Sequence, residues 1–77
     1  MPDIDPGKTW STEVEPPGSV HLSNLSTTTK GKAVVNFDNG TTVPVDIPAG
    51  GTAVVDFNQG TNLEVENTGS TRINATV

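Results

Sequence analysis

The chain has no cysteine. Disulfide staples, thiolate metal sites and thiol nucleophiles are therefore excluded together. Cations are almost as scarce: Lys8, Lys30, Lys32 and Arg72 stand against nine carboxylates, for a net charge of -5. Phosphate neutralisation, the main energetic term in nucleic-acid binding, is then missing, and no nucleic-acid partner is expected. Aromatics number three, Trp10, Phe37 and Phe57. No apolar run approaches the roughly 20 residues of a membrane-spanning helix, so no membrane partner is expected. The first residues, Met1-Pro2-Asp3-Ile4-Asp5, are neither basic nor apolar and carry no targeting pattern, which predicts a soluble chain. Histidine occurs once, as His21.

The 77 residues leave room for one domain. A domain this small buries only about 60% of the surface of its unfolded chain, and its stability usually needs a supplement. Without disulfides, contact with other chains is the remaining supplement, and a homo-oligomer is expected. The composition is rich in Thr, Asn, Ser and Gly, which suits strands and turns rather than helices.

Residues 1–18 contain Pro2, Pro6, Pro16 and Pro17, and acids at Asp3, Asp5, Glu13 and Glu15. Proline fixes its own φ and pushes the preceding residue toward extended geometry. The segment predicts an extended N-terminal arm. Ile4, Trp10 and Val14 punctuate it as isolated large side chains and are candidate anchors on the domain or on a neighbouring chain. Burying a tryptophan fully contributes about 2 to 3 kcal/mol.

Residues 19–77 predict an all-β domain. Apolar side chains recur at every second position: Val35 and Phe37; Val43, Val45 and Ile47; Ala53, Val55 and Phe57; Leu63 and Val65; Ile73, Ala75 and Val77. Period two is the signature of strands with one face on a core and one in solvent. Asp38-Asn39-Gly40 predicts a hairpin over residues 33–47. Pro48 to Gly51, Asn58 to Gly60 and Asn67 to Ser70 supply three further reversals. Val20 and Leu22 mark a first strand, placed at an edge because Pro16 and Pro17 feed into it. Pro44 cannot donate to a ladder, which predicts that its strand lies at an edge or carries a bulge. About six short strands at this spacing predict a compact antiparallel sandwich or small barrel. Val54 breaks the alternation. It is either a single exposed valine or, with Trp10, part of a contact surface.

No constellation for catalysis emerges, and the chain is read as a non-enzyme. His21 lies on the polar parity of its strand, while Ser19 and Ser23 flank it without a nucleophile turn. Asp3, Asp5 and Gly7 resemble the opening of a calcium loop, but a loop begun at Asp3 would have Ser11 at its ninth position and Val14 at its twelfth, and neither supplies a bidentate carboxylate. No metal or cofactor is expected. Asp46, Asp56, Glu64 and Glu66 occupy outward positions and form an acidic patch only if their strands adjoin. Asn24-Leu25-Ser26, Asn39-Gly40-Thr41 and Asn74-Ala75-Thr76 fit the glycosylation acceptor pattern, which arises readily by chance in such a composition.

The stretches Ile47-Pro48-Ala49-Gly50-Gly51-Thr52, Leu63-Glu64-Val65-Glu66-Asn67-Thr68-Gly69 and Arg72-Ile73-Asn74-Ala75-Thr76-Val77 resemble the strand rhythm of small β-sandwich proteins of tailed-phage virions. The capsid decoration, or cement, type is the nearest in style, over residues 20–77. The resemblance implies a structural protein on the exterior of the virion, bound to the major capsid protein or other virion subunits. It also implies a symmetric cluster with a terminal arm clamped across neighbours. Two further classes remain open: a receptor- or carbohydrate-binding β-module of a tail or secreted assembly, and a small acidic inhibitor of a host protein acting by charge mimicry.

Overall fold

The computed structural model describes residues 3–77, so Met1 and Pro2 of the expected arm lie outside the described residues. All regular structure among them is β. Eight strands follow in order: β1 (Asp3–Ile4), β2 (Thr9–Glu13), β3 (Gly18–Asn24), β4 (Gly31–Phe37), β5 (Thr42–Ile47), β6 (Thr52–Phe57), β7 (Asn62–Asn67) and β8 (Ile73–Thr76). They form two four-stranded antiparallel sheets, ordered β1-β8-β3-β6 and β2-β7-β4-β5. Of the two expected architectures, sandwich or small barrel, the sandwich forms, with eight strands rather than about six because residues 3–13 add two.

The alternation also fixes the core. Val20, Leu22, Val35, Ile47, Leu63, Val65, Ile73 and Ala75 are all at most 2% exposed. Their sequence neighbours face outward, so each strand spends one face on the interior. Val77, which shares the inward parity, lies beyond the end of β8 and is 60% exposed.

Only one connection is a hairpin. β4 and β5 pair from Gly31–Ile47 to Asn36–Thr42 around the turn at Asp38-Asn39-Gly40. There Gly40 adopts φ +92°, Phe37 accepts from the Gly40 amide at 3.1 Å, and the Asn39 Oδ1 accepts from the Thr41 amide at 2.9 Å. The other three predicted reversals carry the chain from one sheet to the other rather than back along the same sheet. Turn residues specify that a strand ends; they do not specify which layer the next strand joins.

Pro44 lies on β5, an edge strand as its missing donor requires. The placement of β3 differs from expectation. It sits inside its sheet, pairing with β6 on one side and β8 on the other. Pro16 and Pro17 precede its first residue, so neither removes a ladder donor from it.

The expected arm is not separate from the domain. Ile4 pairs with Ile73, and Trp10 pairs with Val65, so residues 3–13 supply the outer strands of both sheets. The physical reason is that Ile4, Trp10 and Val14 all point into the sandwich. Ile4 is 2% exposed and part of the core, while Trp10 and Val14 are half-buried against it.

Two buried asparagines hold the chain crossings at one end. Asn67, 1% exposed, closes β7. Its Nδ2 donates to the carbonyls of Ile4 at 2.8 Å and Thr71 at 2.7 Å, and its Oδ1 accepts from the Gly69 amide at 3.0 Å. Its backbone also bonds Gly7 and Lys8, so one residue holds the N-terminal segment as it crosses between sheets. Asn24 does the same service at the end of β3: its Nδ2 donates to Thr29 at 2.7 Å and its Oδ1 accepts from the Ser26 amide at 2.9 Å. Every buried side-chain polar atom among the described residues has a partner.

Candidate functional site

The strand ends divide the sandwich into two poles of unlike charge. At one pole lie Asn24, Ile47 and Asn67 with their loops; at the other lie Phe37, Phe57, Val14 and Val77. Lys8, Lys30, Lys32 and Arg72 all sit at the asparagine pole, accompanied by Asp3, Asp5 and Asp46. Arg72 Nε donates to Asp5 at 2.7 Å, which holds the guanidinium pKa above its ordinary value, and Lys30 meets Asp46 at 3.6 Å. Both pairs are exposed and contribute little to stability. The Phe57 pole carries Glu13, Glu15, Asp38 and Asp56 and no cation.

Three shallow clefts meet at Phe57, which is half-buried and packs its ring 5.7 Å from that of Phe37. The largest, 540 Å³, is lined by Pro17, Gly18, Ser19, Asp56, Phe57 and Asn58. A second runs from Phe57 to Val14, Glu15 and Val77. A third crosses to Phe37 and Val43. All open broadly to solvent, unlike the enclosed pockets that bury most of a small ligand. The pole is thus an apolar patch with an acidic rim.

Asp38 lies at the same pole, in a separate cleft beside Phe37. Its carboxylate accepts the Thr61 amide at 3.0 Å and the Thr61 hydroxyl at 2.8 Å, tying the β4–β5 turn to the β6–β7 connection. These bonds, the hydroxyl's first, hold its pKa below the ordinary 3.8 because they favour the charged form. Ser19 donates to Asp56 across β3 and β6.

The four residues singled out as partner contacts do not form one surface. Ile4 is spent in the chain's own core and offers nothing to a partner. Trp10 lies on the β2 edge facing inward, and Val14 reaches the Phe57 pole. Val54 is 53% exposed on the outer face of β6, at the opposite side of the sandwich from β2. A joint Trp10–Val54 surface is therefore ruled out by topology: each lies on an edge strand of a different sheet, at opposite sides. The four outward acids do not gather either. Glu64 and Glu66 share β7, Asp46 is two strands away on β5, and Asp56 is on the other sheet.

His21 is exposed and pairs across the sheet with Val54 and Thr76. No group of three or more metal-ligating side chains occurs among the described residues. Among the described residues no helix is long and apolar enough to cross a membrane. Sequence reasoning missed Phe57 as a surface feature because its inward parity implied full burial. It sits at the last position of an edge strand, where the sandwich no longer covers it. No family model matches the chain, and comparison with curated proteins and with solved structures gives no significant match.

Proposed function

We propose that the chain is a non-enzymatic docking module of the capsid-decoration kind, which binds the exterior of a virion shell through its Phe57 pole. The observation that carries this reading is the segregation of charge. An apolar patch formed by Phe57, Val14 and Val77 is bordered by the carboxylates of Glu13, Glu15 and Asp56 and by no cation, while all four cations lie at the far end. Such a rim favours a partner surface with basic residues around an apolar centre, because complementary potentials orient the encounter and exclude wrong partners. The all-β fold accords with the resemblance in its strand rhythm, and docking requires no chemistry at the site.

The test is incorporation into particles. Virions purified from the source of the chain should carry it on their surface in many copies, and raised salt should strip it. Val77→Asp adds charge to the patch at an exposed position. That variant should fold as the wild type and fail to join the particle. Absence of the chain from purified particles refutes the reading, as does undiminished incorporation of Val77→Asp.

One observation favours a second reading, glycan binding. The 540 Å³ cleft sets the half-exposed Phe57 ring beside Ser19, Asp56 and Asn58, an aromatic platform with polar neighbours. Binding on a glycan array that is lost in Phe57→Ser but kept in Val77→Asp would support it.

A further inference from the structure

The four edge strands of the sandwich are unequally protected. β1 is two residues long, and β5 carries Pro44, which withholds a donor. β2 ends in Glu13 and is flanked by Lys8. β6, Thr52-Ala53-Val54-Val55-Asp56-Phe57, has six residues, no proline and no lysine. Unshielded edges of this kind present a ready template for another strand.

The backbone phase of that edge is set by the ladder on its other side. The Asn24 amide donates to the Gly51 carbonyl at 3.0 Å. Pairs in phase with it, Leu22–Ala53 and Val20–Val55, carry the β3–β6 hydrogen bonds. The intervening residues Thr52, Val54 and Asp56 therefore turn their amides and carbonyls outward, away from β3. The same side of the molecule is incompletely closed. Val43, Val45, Ala53 and Phe57 occupy core-facing positions on the two adjacent edge strands β5 and β6, yet all four remain partly exposed. On the opposite side Ile4 is fully buried.

We infer that β6 pairs antiparallel with β6 of a second copy about a two-fold axis at Val54, joining two four-stranded sheets into one of eight. The sequence of the strand is complementary to itself in that register. Val54 faces the partner's Val54, and Thr52 faces the partner's Asp56, so that each carboxylate meets a hydroxyl. Centring the axis on Asp56 instead would oppose two carboxylates. On the inner face Phe57 falls opposite the partner's Gly51, whose missing side chain leaves room for the ring. A two-fold contact needs only one surface patch, used twice. The antiparallel arrangement directs the two acidic poles to opposite ends of the dimer. This inference does not rest on the shell-docking reading: Asp56 and Phe57 border both surfaces, but the pairing is carried by the outward backbone edge of β6 and is tested on the isolated chain.

Sedimentation velocity over a wide concentration range should show a reversible monomer–dimer equilibrium. The amides of Val54 and Asp56 should exchange more slowly as dimer accumulates. Thr52 is exposed, so its variants leave the monomer intact. Thr52→Asp sets a carboxylate against the partner's Asp56 at two places per dimer and should weaken association at least tenfold. Thr52→Lys sets an ammonium there and should tighten it. Val54→Pro removes an outward amide and should give a monomer. A chain that stays monomeric at all concentrations overturns the inference, and so do Thr52→Asp and Thr52→Lys if they leave association unchanged or shift it in the same direction.

Discussion

Replacing Asn67 with alanine removes the side chain that joins three separate stretches of chain. Its amide satisfies the carbonyls of Ile4 and Thr71, and its oxygen satisfies the Gly69 amide. The Gly69 amide keeps a second acceptor, the Lys32 carbonyl at 3.1 Å, so its loss is cushioned. The Thr71 carbonyl has no second donor, while the Ile4 carbonyl keeps its place opposite Ile73 in the β1–β8 ladder. Each buried group left without a partner costs about 1 to 3 kcal/mol, which puts Asn67→Ala at roughly 2 to 4 kcal/mol after partial rehydration of the less buried Thr71 oxygen. A chain of this size has a total stability of about 4 to 12 kcal/mol, so the midpoint of urea unfolding should fall sharply. Hydrogen exchange should show residues 3–8 losing protection first, because Asn67 holds that segment. Asn67→Asp refines the test. Its carboxylate would face two carbonyl oxygens, which raises its folded pKa above the ordinary value of about 3.9. Its protonated form can donate to one of them. The contribution of that donor is therefore present below the ordinary value and is lost as pH rises through the raised one. Relative to wild type, Asn67→Asp should be least stable near neutrality and approach it in acid. A cost below about 1 kcal/mol for Asn67→Ala, with protection of residues 3–8 unchanged, would refute the account of this residue as the tie.

The packing of Trp10, Gly69 and Asp38 sets three further outcomes. Trp10→Ala should destabilise the isolated chain by about 2 kcal/mol, toward the low end for a large aromatic because the ring is only half-buried; calorimetry in the absence of any partner measures it. Gly69→Ala would place a Cβ 2.7 Å from the Lys32 backbone nitrogen, which cannot step aside as a side chain can, and should lower stability by about 1 to 3 kcal/mol in chemical denaturation. Asp38 stabilises the fold in its charged form. That contribution is present above 3.8 and is lost as pH falls through its lowered folded value. The stability difference between wild type and Asp38→Asn should accordingly be constant near neutrality and shrink in acid.

The period of two was enough to read most of the sandwich. Val35, Ile47, Leu63, Val65, Ile73 and Ala75 all face inward, and Pro44 marks an edge. The first strands were hidden for a physical reason. Between Trp10 and Val14 the inward position is held by Thr12, and a lone isoleucine in a two-residue strand has no rhythm at all. Their β structure is imposed by pairing with β7 and β8 rather than by local pattern. The crossing of most turns between layers was equally invisible, since a glycine-rich turn has the same chemistry whether it closes a hairpin or bridges two sheets. The asparagine ties left a trace that composition obscured: Asn24 precedes Ser26, and Asn67 precedes Gly69, at the two-residue spacing of side-chain turns. In the midst of so many Asn, Ser and Thr residues this reads as chance. Asn24 also falls in an acceptor motif for glycosylation, yet its amide nitrogen is committed to Thr29 inside the fold.

The pairing of the earliest strands with the latest ones has a consequence for synthesis. β1 finds its neighbour only in β8, and β2 only in β7. On the ribosome, β2 must wait for residues 62–67 and β1 for residues 73–76 to emerge, leaving Ile4 and Trp10 without shelter meanwhile. Non-local pairing of this kind makes for slow folding and a vulnerable nascent stage. The sparse apolar content and the prolines ahead of β3 lessen the hazard of that interval, because an exposed leader poor in grease has little with which to aggregate.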